Sequence, residues 1–512
     1  MLKRVLTVIA AIIFTSQSAF AGDVWINNLR KTFANNSAII YEINIRTFNA
    51  NDANKNGIID FAEGEESGNF INAIDRLDEL AQKGINTIHV LPITPVGKTK
   101  ALGTAGSLYS SSGFDSINPQ LISLTSSLSP QNQVIKFVNE AHKRGIALIV
   151  DLPSCGSYDL YLKRPELFVK DKSNQPVIPS DWTDVRLLNA GSETSINSEV
   201  FNLYKKFVDM AINLGFDGIR ADVATSKPAK FWQELISYSR KKDPQFLWLA
   251  EAFDKGESVS EYTVFTPYNK LLESGFDGYY GSFVNFKDFK SGKELTNLVS
   301  STVNALSNYP DKKAVIGSFV THDEMSPILV NGPKLSEMII WLNATLPVNS
   351  YFVDGFDTGD SYLYMWGNKE AIKTYTDDDI YFVHRGKIDI FNFSRKPGGN
   401  NMELLSNFIL ANGIKKQLVT LINSGKFVPL KTKSQSVFAY AIGHDGKSLV
   451  VIGNLDFKNN VETKISVRKL TKDTSVLPLK IDSVPIADRG KFIVNLKAGE
   501  VLVLLLNNLE VK

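Results

Sequence analysis

Residues 69–93 read "NFINAIDRLDELAQKGINTIHVLPI", and two periodicities meet in them. Phe70, Ile71, Ile74, Leu77 and Leu80 recur at the spacing of one helical face. Gly84 follows as a helix stop. The run 85–93 is then apolar with little alternation, the pattern of a strand buried on both faces. Working outward, the same unit recurs. Upstream stands "AIIYEINIRTF" (38–48); downstream an amphipathic helix, "NQVIKFVNEAHKRG" (132–145), leads into the strand "IALIVDLP" (146–153). Strand and helix keep alternating through "FDGIRADV" (216–223), "FLWLAEAF" (246–253), the weaker "FDGYYGSF" (276–283), "KAVIGSFVTHD" (313–323) and "VNSYFVDG" (348–355). Eight strands, mostly separated by helices, predict an α/β chain folded as a (β/α)8 TIM barrel.

Beyond about residue 427 the pattern changes. "SVFAYAIGHDGKSLVVIGNL" (436–455) reads as a hairpin turning at Asp445-Gly446. "ETKISVRKL" (462–470) and "KFIVNLKAGEVLVLLLN" (491–507) are further strands. The tail, 433–512, is expected to be a C-terminal antiparallel β-sandwich joined by the linker "FVPLKTKSQS" (427–436), with the barrel over 22–427. At the start, Lys3 and Arg4, a short apolar run and Ala19-Phe20-Ala21 predict a signal peptide over 1–21, cleaved before Gly22. The protein is then exported, to the periplasm or the medium, with no membrane association after cleavage. The formal net charge of +2, with acids and bases mixed along 512 residues, argues against a nucleic-acid partner. Cys155 is the only cysteine, so no intramolecular disulfide staples the chain.

The loop after the first strand, "NDANKNGIIDFAEGEE" (51–66), carries Asp52, Asn54, Asn56, Gly57, Ile58, Asp60 and Glu63 at positions 1, 3, 5, 6, 7, 9 and 12 of a calcium-loop pattern. In a barrel this loop lies on the face where active sites are built. The expectation is one structural Ca2+ among Asp52, Asn54, Asn56, the Ile58 carbonyl and Asp60. The alternative is a solvated Asn/Asp-rich turn.

Carboxylates stand at the C-terminal ends of successive strands: Arg220 with Asp222 in "GFDGIRADVA" (215–224), Glu251 in "LWLAEAFD" (247–254), His322 with Asp323 in "SFVTHDE" (318–324). Each alone reads as a salt bridge, a polar rim or a capped turn. Three together at one end of a barrel read as a site. On these residues the chain resembles the α-amylase family, glycoside hydrolase family 13. The resemblance implies Asp222 as nucleophile, Glu251 as general acid/base and Asp323 as transition-state stabiliser. It further implies Arg220, His322 and Tyr109 (in "GTAGSLYS", 103–110) near the reacting sugar, with Asp151 of "VDLP" supporting Arg220. It also implies a short inserted domain after the third strand, over 154–196, and a metal site in the first loop like "DANKNG". The chain departs from the family where an Asn-His pair is replaced by Cys155-Gly156, a Lys-His pair by Thr225-Ser226, and an Asn by Thr321.

Other residues keep plain readings. His89 reads as a satisfied rim histidine and His142 as surface. His384 is undecided between an extra loop over the site and no role. Trp182 and Trp366 divide evenly between sugar stacking and packing, and Cys155 has nothing to mark it as a nucleophile. The resulting expectation is a retaining hydrolase acting on an α-glucan or oligosaccharide. Its rivals are a transglycosylase and a non-catalytic glucan-binding protein on the same scaffold.

Overall fold

The computed structural model describes residues 25–179, 182–361, 388–471, 474–480 and 485–511. The expected signal peptide, Trp366 and His384 lie outside them. Eight parallel strands close into a barrel. In chain order, counting two short strands of an insertion, they are β1 (Ile39–Ile43), β2 (Thr87–Val90), β3 (Ala147–Leu152), β6 (Gly218–Ala221), β7 (Leu247–Ala250), β8 (Gly278–Tyr279), β9 (Ala314–Gly317) and β10 (Asn349–Val353). β1 pairs with both β2 and β10, which closes the ring. Every residue of these strands is buried, which is why they read as apolar runs. β8 is only two residues long, matching its weak pattern.

Helix ends follow local chemistry. Asn197 accepts from Glu199 N and Val200 N to start the helix Ser198–Leu214, and Gly215 ends it with φ +91°. The segment read as one helix before Gly84 is instead a 3-10 turn, Asn72–Arg76, running into a short α-helix, Leu77–Gln82. Arg76, at the junction of the two, is buried. Its guanidinium turns inward to the Phe48 carbonyl and the buried Asp354 carboxylate at 3.1 Å.

The insertion after β3 holds β4 (Cys155–Ser157) antiparallel to β5 (Val185–Leu187), packed around Cys155, Val177, Val185 and Leu187. The final barrel helix, Met402–Ser424, passes directly into β11 (Lys426–Pro429). Part of the expected linker is therefore an edge strand paired with β12 (Val437–His444). The remaining strands are β13 (Lys447–Asn454), β14 (Val461–Ser466), β15 (Ser475–Lys480), β16 (Ile486–Asp488), β17 (Lys491–Leu496) and β18 (Val501–Asn507). They form one sheet in the order β11-β12-β13-β18-β15 and another in the order β14-β17-β16.

β12 shows why this domain sits firmly on the barrel. Side chains alternate across a strand. Val437, Ala439 and Ala441 enter the core between the two sheets, while Phe438, Tyr440 and Ile442 join the barrel core. Burying each of the large ones stabilises the junction by about 1.5–3 kcal/mol. The Tyr440 hydroxyl meets Thr345 Oγ1 at 2.7 Å in that interface. The Asp445-Gly446 turn has φ +49° and +70°, the paired left-handed geometry of a tight hairpin. Among the described residues no helix is long and apolar enough to cross a membrane.

Candidate active site

The C-terminal ends of the barrel strands surround a cavity of about 310 Å³ whose lining includes Tyr109, Asp222, Glu251, His322, Asp323 and Trp182. Arg220 organises it. This side chain lies on β6 with 1% exposure. One nitrogen, Nη1, donates to Asp151 Oδ1 and Oδ2 and to Asp222 Oδ1, each at 2.9 Å. Nη2 lies 3.0 Å from Glu251 Oε2, and Nε donates to the Tyr280 hydroxyl at 3.2 Å. One permanently charged guanidinium thus holds three carboxylates from the ends of three adjacent strands.

Burial would raise the Asp151 carboxyl. Arg220, His89 and the Tyr109 hydroxyl outweigh it and hold Asp151 below its ordinary range. Glu251 goes the other way. Burial first, and the Asp222 charge after it, push its carboxyl up against the opposing pull of Arg220 and the Val223 N–H. That N–H reaches Glu251 Oε2 at 2.7 Å, and Val223 itself adopts a left-handed conformation, φ +39° and ψ +51°. A β-branched residue there costs about 1–3 kcal/mol.

Tyr109 donates to Asp151 Oδ2 at 2.7 Å and stacks on His322, with ring centroids 5.5 Å apart. His322 Nε2 lies 3.1 Å from the Tyr109 hydroxyl and 3.5 Å from Asp323 Oδ2. Its Nδ1 bonds Glu42 Oε1. Thr321, where the family pattern has Asn, accepts the Asp323 N–H at 3.2 Å and fixes that turn. All seven catalytic and sugar-contacting candidates, Asp151, Tyr109, Arg220, Asp222, Glu251, His322 and Asp323, therefore converge.

Several neighbours escaped the sequence reading. Glu42, on β1, is fully buried beneath His322. Burial would raise its carboxyl, but the two histidines, His322 above all, hold it low. The only available signal was an acid inside an apolar strand. Ser154 donates from N and Oγ to Asp222 Oδ2 at 3.1 and 2.9 Å. His89 is no rim residue: it is fully buried under the site, 3.0 Å from the Tyr351 hydroxyl and 3.4 Å from Asp151 Oδ2. His142 is no loose surface group either. It stacks on Trp25 and meets Asp217 Oδ2 at 2.8 Å.

Gly156, at the position of the family's histidine, leaves no room for a side chain. A Cβ there would meet Phe168 at 2.8 Å and Leu160 at 3.0 Å. The insertion packs on that face, and Trp182, Asp184 and Val185 line the cavity instead. Cys155 also lines it, but burial pushes its thiol up to about 12, which disqualifies it as a nucleophile.

The calcium-like loop folds on itself. Asp52 accepts from Asn56 N and Gly57 N, Asn54 Oδ1 from Asn56 N, Asn56 Oδ1 from Ile58 N, and Asp60 from Ala62 N. Glu65, not Glu63, turns in to take Asn54 N and Asp60 N. Among the described residues no three His, Cys, Asp or Glu side chains gather closely enough to hold a metal. The loop's oxygen set is instead half amide, and its carboxylate oxygens keep second lone pairs.

No family model matches the chain. Alpha-amylase 3 of Dictyoglomus thermophilum is 21% identical over 502 residues, covering 87% of this chain and 89% of that protein. Alpha-1,4-glucan:maltose-1-phosphate maltosyltransferase 1 of Streptomyces coelicolor is 22% identical over 427 residues. The match spans 78% of this chain and 57% of that protein; the match to the Arcanobacterium haemolyticum maltosyltransferase spans 40% of this chain and 33% of that protein. Among solved structures, an alpha-amylase from Lactobacillus plantarum superposes with a TM-score of 0.70 at 20% identity, over 93% of this chain and 99% of that one. A maltogenic alpha-amylase from Thermotoga neapolitana gives 0.66 at 19%, over 92% and 99%. At such identities the structures attest the fold.

Proposed function

We propose that this chain, of the α-amylase family in its fold and its relatives, breaks α-glucosidic bonds in α-glucans or maltooligosaccharides with retention of configuration. The observation that carries the reading is the Arg220 fork, which holds Asp151, Asp222 and Glu251 together at 2.9–3.0 Å. Two carboxylates on neighbouring nitrogens of one guanidinium favour the short separation of retaining enzymes, about 5–5.5 Å, over the about 6.5–9.5 Å that admits a water between them.

The steps follow from the charges. Asp222, its Oδ1 held by Arg220 at 2.9 Å, attacks the anomeric carbon. The glycosidic C–O bond breaks, its electron pair goes to the leaving oxygen, and Glu251 supplies the proton. Glu251 is suited to this because burial and Asp222 raise its carboxyl. Glu251, now ionised, takes a proton from water. The water oxygen bonds to the anomeric carbon and the electron pair of the ester returns to Asp222. Asp323, Tyr109 and His322 are placed for the sugar's hydroxyls and developing positive charge.

The same intermediate handed to a second sugar would make a transferase, and the maltosyltransferase relatives keep that reading alive. A purely glucan-binding role is disfavoured, since binding requires neither a raised acid nor the strained Val223 beside it. Incubation of the purified protein with maltoheptaose, followed by product analysis, tests this. New reducing ends support hydrolysis and lengthened chains support transfer. Glucan binding without turnover would contradict the enzymatic reading.

The first loop suits one Ca2+, held by Asp52, Asn54, Asn56, Asp60 and the Ile58 carbonyl, since hard cations take such mixed oxygen ligands. Its contribution would be structural, bracing the loop against Ser394 through the backbone bridge at Ile58. Excess chelator is then expected to lower the melting temperature without unfolding the barrel at room temperature. An unchanged melt, with no metal by elemental analysis, would refute it.

A further inference from the structure

We infer that Ser154, backed by the buried Lys227, is a second clamp on the reacting carboxylate and governs how fast the sugar ester is broken down. The inference rests on Asp222 being the nucleophile. Neither residue is marked by the family resemblance: Ser154 lies just before the altered Cys155-Gly156 pair and Lys227 just after Thr225-Ser226.

The two oxygens of Asp222 have separate donors. Oδ1 takes Arg220 Nη1 at 2.9 Å. Oδ2 takes both the Ser154 N–H at 3.1 Å and its hydroxyl at 2.9 Å. Ser154 lies two residues past the end of β3 and is itself pinned from behind. Its carbonyl accepts from Lys227 Nζ at 3.0 Å. Lys227 is 1% exposed and lies over the Tyr204 ring, and its own carbonyl accepts from Thr266 Oγ1 at 2.7 Å. Among the described residues it forms no ion pair within 4.0 Å. Burial brings its amine down to about 8. A cation kept so deep on a neutral carbonyl is costly. Its placement serves Ser154, and its charge lies on the Asp222 side of the site.

Donors on Oδ2 stabilise the carboxylate more than the sugar ester, because the ester carries less charge on those oxygens. When the ester forms, charge leaves the carboxylate; when water breaks the ester, charge returns. Removing the Ser154 hydroxyl therefore makes Asp222 more nucleophilic and a poorer leaving group. The ester should accumulate.

The test uses an aryl α-glucoside with an activated leaving group, on wild type and Ser154→Ala, with melting curves for each. The expected result is a stoichiometric burst of aryl release by Ser154→Ala, then steady-state kcat about tenfold or more below wild type. KM should fall by more than kcat, so that kcat/KM is kept or raised. Ser154→Thr should restore wild-type behaviour, and Lys227→Met should move kcat and KM in the direction of the alanine variant. A merely structural role would lower kcat without a burst and without a matching fall in KM, and that outcome overturns the inference, as does unchanged kinetics. Wild-type release without the variant's burst sinks this inference alone. No release by folded wild type sinks it together with the assignment of Asp222.

Discussion

Asp222→Asn is expected to lower turnover by at least about a thousandfold, because the amide cannot form the sugar ester. The fold should persist with a measurable loss. Both oxygens of Asp222 accept hydrogen bonds, from Arg220 on one side and from Ser154 on the other. The amide nitrogen of Asn must face one of these donor sets. The Ser154 hydroxyl can rotate to accept, but its N–H and the guanidinium cannot, so about 1–3 kcal/mol of stability should go. Glucan binding should remain, since Tyr109, His322 and Asp323 are untouched. Initial rates, a melting curve and a binding isotherm check all three. A variant that keeps most of the wild-type kcat would refute the assignment.

Glu251→Gln carries the second large effect, and it should depend on the leaving group. With maltooligosaccharides the departing oxygen needs a proton, so the loss should be about a hundredfold to ten-thousandfold. With an activated aryl α-glucoside the first step needs little acid assistance and should survive. The second step still lacks its base, so an external anion such as azide should accelerate release. The pH profile gives an independent check. Wild-type activity should fall on the alkaline side as Glu251 loses its proton. Burial and Asp222 raise that carboxyl, so the limb should lie above the about 4.3 of an exposed glutamate. In Glu251→Gln this limb should vanish. Equal losses on both substrates, with the limb intact, would move the acid role elsewhere.

Much of this was legible because a barrel strand is buried on both faces. "INTIHVLPI" and "IALIVDLP" announce themselves by composition, and the residue where each such run meets a carboxylate is a strand end. Asp222 and Glu251 are visible that way. What stays hidden depends on contacts across the barrel. Glu42 looks like a stray acid in an apolar strand until His322, 280 residues away, is found on it. Ser154 and Lys227 are 73 residues apart and meaningless singly. His142 reads as surface because Asp217, 75 residues on, supplies its partner. Gly156 reads as a missing hydrogen bond, whereas the fold shows its space filled by Phe168 and Leu160. β11 was hidden for a different reason: with Pro429 and two exposed ends, an edge strand looks like a linker.

On the proposed mechanism a covalent sugar ester forms on Asp222. The most direct measurement is to treat the wild-type protein with a fluorinated α-glucosyl fluoride whose ester breaks down slowly, digest it, and locate the added sugar by mass spectrometry. One equivalent of sugar is expected on the peptide containing Asp222, and none in Asp222→Asn. Turnover of α-glucosides with no adduct at Asp222, or with β-configured first products, would contradict it.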